Sequence, residues 1–196
     1  VKLNLFPGAR SKAVTMSYDD GIVDDKKLLQ IFNKYGIKVT FNLNSGLFGE
    51  HGSFIQEVVN IIHDRMEERE IADVYAGHEV AVHTLTHPFL EALPEAVMIK
   101  EVLEDRDKLE RIVGYPVRGM AYPYGTYDER VLNILKTLGI EYSRTVESHK
   151  SFKLPDVPLK WGATCHHADP DLDKLVEKFV SDSDCNHMQL LYIWGH

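Results

Sequence analysis

An α/β fold built on a mostly parallel sheet is what the sequence predicts, from three features. Apolar segments of strand length alternate with longer segments whose apolar residues recur at helical spacing. The helical segments stop at glycines, as at Gly36, Gly114 and Gly139. The final segment, residues 189–194, is nearly all apolar, which suits a strand covered on both faces. Strands separated by helices form βαβ units, and these build either an open doubly wound sheet or a closed barrel. Periodicity leaves that choice open, but in both architectures ligands bind beyond the carboxyl ends of the strands.

The elements follow in order. Residues 13–17 form a short apolar strand that runs into Asp19-Asp20-Gly21. Residues 24–35 carry Leu28, Leu29, Ile31 and Phe32 at helical spacing. Residues 38–43 form a strand, 54–69 a helix, and 79–82 a strand bounded by Gly77. Pro94 opens a long helix to residue 112, residues 117–122 are a strand, 128–138 a helix and 140–145 a strand. Past a loop marked by Pro155 and Pro158, residues 171–180 form a helix and 189–194 the last strand. No repeat, low-complexity tract or linker divides the chain, so residues 1–196 are expected to be one domain with one core.

Composition excludes several functions. A formal charge of −8, with 22 basic against 30 acidic residues, offers nucleic acid no basic footprint. No apolar run approaches the roughly 18 residues that span a bilayer, and residues 1–10 lack the charged start and long apolar stretch of a signal peptide. The residues present favour the cytoplasm, with an extracellular place if a leader has been removed ahead of Val1, which is not an initiator Met. Cys165 and Cys185 lack CxxC spacing and are expected as reduced thiols. Oligomeric state is not legible.

The residues that follow the strands carry the chemistry. They are Asp19-Asp20-Gly21, His83-Thr84-Leu85-Thr86-His87, Tyr122-Pro123-Tyr124-Gly125 and Gly195-His196. HxxxH spacing on a helical turn sets two imidazoles about 5–6 Å apart at Cβ, close enough to share an ion at roughly 2.0–2.1 Å. A third ligand from Asp20 leaves positions open, as in a catalytic centre. Alone, the His pair also suits solvated or helix-capping histidines, and the Asp pair an N-cap for the next helix. Together they favour a divalent cation, which offsets two adjacent carboxylates. One aspartate then ligates while its neighbour takes a proton from activated water. His196, directly after an apolar strand, is the candidate general acid.

These residues resemble the polysaccharide deacetylases, carbohydrate esterase family four, over nearly the whole chain. Met16-Ser17-Tyr18-Asp19-Asp20-Gly21 resembles the family's TFDDG motif, which implies Asp19 as base and Asp20 as metal ligand. The stretch from Gly77 to Pro88 resembles its H(S/T)xxH motif after a GHE-containing strand, implying His83 and His87 as ligands. Pro123, Tyr124 and Gly125 match RxPYG, implying Pro123 at the substrate and the Tyr124 N–H as oxyanion donor. The Arg of that motif, which orients the base, is replaced by Ala121, so either Arg118 or another cation is expected to substitute or Asp19 is held differently. Trp161 resembles the aromatic wall of the fourth motif, but Lys160 stands where an Asp is expected before it. The leucine-x-histidine ending of the fifth motif resembles residues 191–196, implying His196 as acid and Trp194 as a wall of the acetyl pocket.

The resemblance implies an irregular, incomplete (β/α) barrel, and hydrolysis of acetyl groups on a carbohydrate such as an N-acetylglucosamine polymer or oligomer. Zn²⁺ is the default ion, other first-row divalent metals also suit two His and one carboxylate, and no organic cofactor is indicated. Rival expectations are another amide or an O-acetyl ester at the same site, a carbohydrate-binding relative without turnover (from Ala121 and Lys160), and an iron-dependent oxygenase. The last shares the two-His-one-carboxylate triad, but its all-β scaffold conflicts with the alternation here. The remaining polar features receive plainer expectations. Cys165-His166-His167 is expected in a loop, His51, His63 and His149 in solvent, and the charged stretch 101–111 on a helix exterior.

Overall fold

The computed structural model describes residues 5–56, 58–183 and 187–196. Its main sheet has eight strands, all parallel, in the order β8-β7-β6-β5-β2-β1-β10-β9. They are β1 (Lys12–Asp19), β2 (Val39–Leu43), β5 (Glu79–Val82), β6 (Gly119–Ala121), β7 (Tyr142–Ser148), β8 (Trp161–Ala163), β9 (Cys165–His166) and β10 (Gln189–Gly195). Helices α1 (Asp25–Tyr35), α3 (Glu95–Val113), α4 (Glu129–Leu138) and α5 (Leu172–Ser181) stand near their expected places.

The sheet curls into an irregular barrel. Its edge strands β8 and β9 are consecutive in the chain and joined by Thr164 alone. The Thr164 N–H donates to the Tyr192 carbonyl (2.7 Å), and its own carbonyl accepts from the Lys150 N–H (2.9 Å). One short segment therefore touches β7 on one side and β10 on the other. It was missed as strand because three-residue and two-residue pieces leave no periodicity to read, and Cys165-His166 belongs to β9, not to a loop.

Strand alternation sorts side chains between two environments. Outward-facing Tyr18, Phe41, Leu43, Val80, Val82 and Met120 pack with Leu29, Phe32, Met98, Val102, Leu132 and Leu135 from α1, α3 and α4. Leu191 and Ile193 pack against Leu175 and Phe179 of α5. On the inner face of β10, Leu190, Tyr192 and Trp194 meet Ala163 and Trp161.

The expected helix over 54–69 is instead an antiparallel hairpin, β3 (Ser53–Gln56) and β4 (Val59–Ile62), followed by the short helix α2 (Glu68–Val74). Apolar residues at 54, 58 and 61 mimic helical spacing, but Ile55, Val58, Val59, Ile61 and Ile62 are β-branched and favour the pleated pairing in which Phe54 faces Ile61. Among the described residues no helix is long and apolar enough to cross a membrane. Cys165 is free and buried, whereas Cys185 lies outside the described residues.

Candidate active site

The Asp pair divides at the end of β1. Asp19 is the last strand residue and is buried, while Asp20 turns off the strand in the left-handed region (φ 78°), its N–H held by the Asn42 carbonyl at 2.9 Å. That turn brings Asp20 Oδ1 to 4.0 Å from His83 Nε2 and 3.9 Å from His87 Nε2. The three ligand atoms lie within 4.8 Å of one another, the one such His/Cys/Asp/Glu grouping among the described residues. Two imidazoles and a carboxylate are a fitting donor set for a first-row divalent cation.

The His pair is not on a helical turn, as the spacing suggests. It flanks a loop beyond β5 in which Thr84 (φ 68°) and His87 (φ 59°) are left-handed, and the rings meet edge to face at 4.7 Å. His83 Nδ1 donates to the Ala121 carbonyl at 2.8 Å, which fixes the tautomer and leaves the Nε2 lone pair toward Asp20. Burial and then the neighbouring His83 lower His87 to about 4, so that ring is neutral and able to ligate at pH 7. Burial alone would raise Asp20. The His63 hydrogen bond and the electrostatic influence of His83, Arg65 and His87 outweigh it and hold the carboxyl well below the usual range.

Asp19 is held by a cation other than Arg118. Arg118 is exposed and pairs with Glu141. The guanidinium on Asp19 Oδ2 belongs to Arg144 of β7, which is 1 % exposed. Arg144 also donates from Nε to Ser17 Oγ (3.2 Å) and from Nη1 to the Thr145 carbonyl (3.0 Å), and lies over the Trp194 ring at 4.7 Å. Asn42 Nδ2 holds the other carboxylate oxygen at 2.9 Å. A charged residue inside a strand otherwise headed for burial was the signal that could have found Arg144.

A polysaccharide deacetylase family model matches residues 7–143, a span containing the Asp pair, both histidines and the Pro-Tyr-Gly turn. The chain belongs to the polysaccharide deacetylase family. It is 31% identical over 127 residues, 64% of its length, to the probable peptidoglycan-N-acetylglucosamine deacetylase of Arthroderma benhamiae. It is 27% identical over 130 residues, 65% of its length, to a peptidoglycan-N-acetylglucosamine deacetylase of Bacillus cereus. These matches span only 26% and 42% of the two relatives. The family 4 carbohydrate esterase from Streptomyces lividans, solved with acetate, shares the fold at a TM-score of 0.56 and 16% identity, over 92% of this chain and 78% of that one.

Around the triad of this polysaccharide deacetylase domain the structure adds residues that the sequence did not disclose. His63 is not solvated: its Nε2 is 3.1 Å from Asp20 Oδ2. Arg65 donates from Nη1 to the Asp20 carbonyl (2.6 Å) and Asn44 Oδ1 (2.7 Å), and from Nη2 to Asp20 Oδ1 (3.2 Å). Both follow the hairpin, and the pairing of Ile22 with Arg65 laces that segment onto the turn after Asp20. His51 and His149 are exposed, as expected.

Beside His63 a cleft of about 420 Å³ runs to His167 and His196, with Phe54, Ile61 and Ile62 of the hairpin and Tyr18, Asp25 and Leu28 also in its walls. The buried Trp194 ring lies 4.6 Å from His166 and 6.0 Å from the exposed His196. Pro123 is buried, and Tyr124 (φ 58°) stacks on Phe89 at 3.9 Å and meets the His87 ring at 4.6 Å. Trp161 is a correction. It begins β8, packs on Tyr142 (5.9 Å) and Tyr192 (5.6 Å), and lines a separate cavity with Ala13, Thr40 and Glu79 near the amino ends of their strands. Resemblance located the Trp but not the strand that carries it to the far end of the barrel.

Proposed function

We propose that this domain is a metal-dependent deacetylase that hydrolyses acetyl groups on an N-acetylglucosamine-type polymer or oligomer. The observation that carries the proposal is the juxtaposition of two differently held carboxylates. Asp20 faces His83 and His87, while Asp19 is secured by Arg144 and Asn42. Asp20, His83 and His87 would hold the cation, with Zn²⁺ first among the candidates. A bound cation supplies Lewis acidity, activating water and polarising the acetyl carbonyl.

The chain's own groups do the rest. Asp19 takes the water proton, and the buried Arg144 holds its carboxylate in place. The Tyr124 N–H, at a left-handed turn beside His87, supports the developing oxyanion. His196, at the end of the cleft, gives a proton to the leaving amine. Pro123 and Trp194 bound the acetyl group.

Arg144 also weighs against the reading as a binding relative without turnover. Ala121 removes the Arg from its family position without removing a guanidinium from the base. Metal analysis of purified protein, paired with acetate release from N-acetylglucosamine oligomers and acetylxylan, tests the assignment. Release from the oligomers by metal-loaded protein supports it. Release from acetylxylan alone points to an O-acetyl esterase, and release from neither to a binding module.

A further inference from the structure

The charged stretch 101–111, expected on a helix exterior, hides two carboxylates. Glu101 and Asp105 stand one turn apart on α3, 9 % and 0 % exposed. Asp105 Oδ2 accepts from the His83 N–H at 3.1 Å and Oδ1 from the Ser45 N–H at 2.7 Å. Glu101 accepts from the Thr86 N–H and the Thr86 hydroxyl, both at 2.8 Å, and its carbonyl accepts from the Leu85 N–H at 2.9 Å. The Leu85 and Thr86 amides of the loop that carries His83 and His87 therefore end on α3, and the His83 N–H is shared between Asp105 and the Leu43 carbonyl at 3.0 Å.

This loop lies beyond β5, where the sheet offers Leu85 and Thr86 no ladder, and it holds two left-handed residues. Asn44 Nδ2 and the Gly46 N–H hold carbonyls of the loop at His83, Thr84 and Leu85, but without α3 the Leu85 and Thr86 amides would be loose and the distance between the imidazoles would vary. Docking α3 onto the sheet does not need these carboxylates, because Met98, Val102 and Leu109 already pack it there. Two buried acids one turn apart are also a costly way to fasten a helix, since apolar residues of similar volume often do it equally well.

We propose that Glu101 and Asp105 are positioning residues for the metal ligands, clamping the His83–His87 loop at the separation an ion requires. This rests on the metal assignment of the site. Groups that orient ligands from behind typically contribute 10–100-fold in metal affinity. Glu101→Ala is therefore expected to weaken Zn²⁺ binding by about that factor, measured by competition with a chromophoric chelator. It should also shift the visible absorption of the Co²⁺-substituted protein.

Glu101→Gln, whose amide oxygen still accepts from the Thr86 N–H, should restore most of both. Should Glu101→Ala fail to fold, Asp105→Asn decides, because it keeps the volume but lacks a second acceptor and must release Ser45 or His83. An affinity within twofold of wild type and an unchanged Co²⁺ spectrum in the soluble variant would overturn the clamp while leaving the deacetylase assignment intact. Wild-type protein that binds neither ion would overturn that assignment and the clamp with it.

Discussion

Arg144 stands opposite Ala121 in the β6–β7 ladder, and its guanidinium reaches Asp19 from the strand next to the one where the family motif carries its Arg. The two positions share a level in the barrel, and the small Ala121 side chain leaves the space between them to Arg144. Removing Arg144 leaves Asp19 buried without its cation, which costs several kcal/mol when one member of such a pair is lost. Arg144→Ala is expected to lower kcat at least 100-fold while metal content stays near wild type. Adding Ala121→Arg to that variant should recover part of the loss, read from acetate release.

His63 fixes one oxygen of Asp20 at 3.1 Å while the other faces His83 and His87. His63→Ala should weaken Zn²⁺ binding about tenfold, visible by isothermal titration, with little change in melting temperature of the metal-free protein.

Asp25 gives stability a pH dependence of definite sign. Its carboxyl is buried at the start of α1, and burial pushes it up to about 7 against the opposing Tyr75 hydroxyl bond of 2.6 Å. The folded value lies above the unfolded 3.8, so the unfolded chain releases this proton first. The Asp25 contribution therefore falls as pH rises from about 4 to 7, and vanishes below that window. Asp25→Asn should remove this slope and make the metal-free protein more stable than wild type at pH 8, by roughly 1–3 kcal/mol. Urea denaturation at several pH values reads it, and parallel curves for both proteins would contradict it.

Gly195 makes room for His167. A Cβ there would run into the imidazole ring, which also packs on Tyr18 at 5.6 Å. Overpacking of this kind costs about 1–3 kcal/mol. His167 borders the cleft that runs to His196, so if the proposed substrate enters there, Gly195→Ala should raise KM for an acetylated oligomer about tenfold and leave bound metal unchanged.

The sequence displayed Asp19, Asp20, His83 and His87 because local spacing at strand ends encodes them. Groups recruited across the sheet were hidden. Arg144 lies 125 residues from Asp19, and only the strand register makes them partners. Glu101 and Asp105 look like any exposed helical acids until the packing of α3 turns them toward the His loop. The hairpin hides behind apolar residues at 54, 58 and 61 that fall at helical spacing, although β-branched residues at 55, 58, 59, 61 and 62 favour the pleated pairing, and His63 and Arg65 hide with it. Trp161 was placed by resemblance at an end of the barrel that its strand does not reach.

In the proposed division of labour Asp20 holds a cation while Asp19, on Arg144, moves the proton. Acetate release from N-acetylglucosamine oligomers by metal-loaded Asp19→Asn protein tests it most directly. A full complement of metal with turnover reduced about 10²–10⁴-fold is the predicted result. Wild-type turnover in that variant, or undiminished turnover after the metal has been stripped from the native chain, would contradict it.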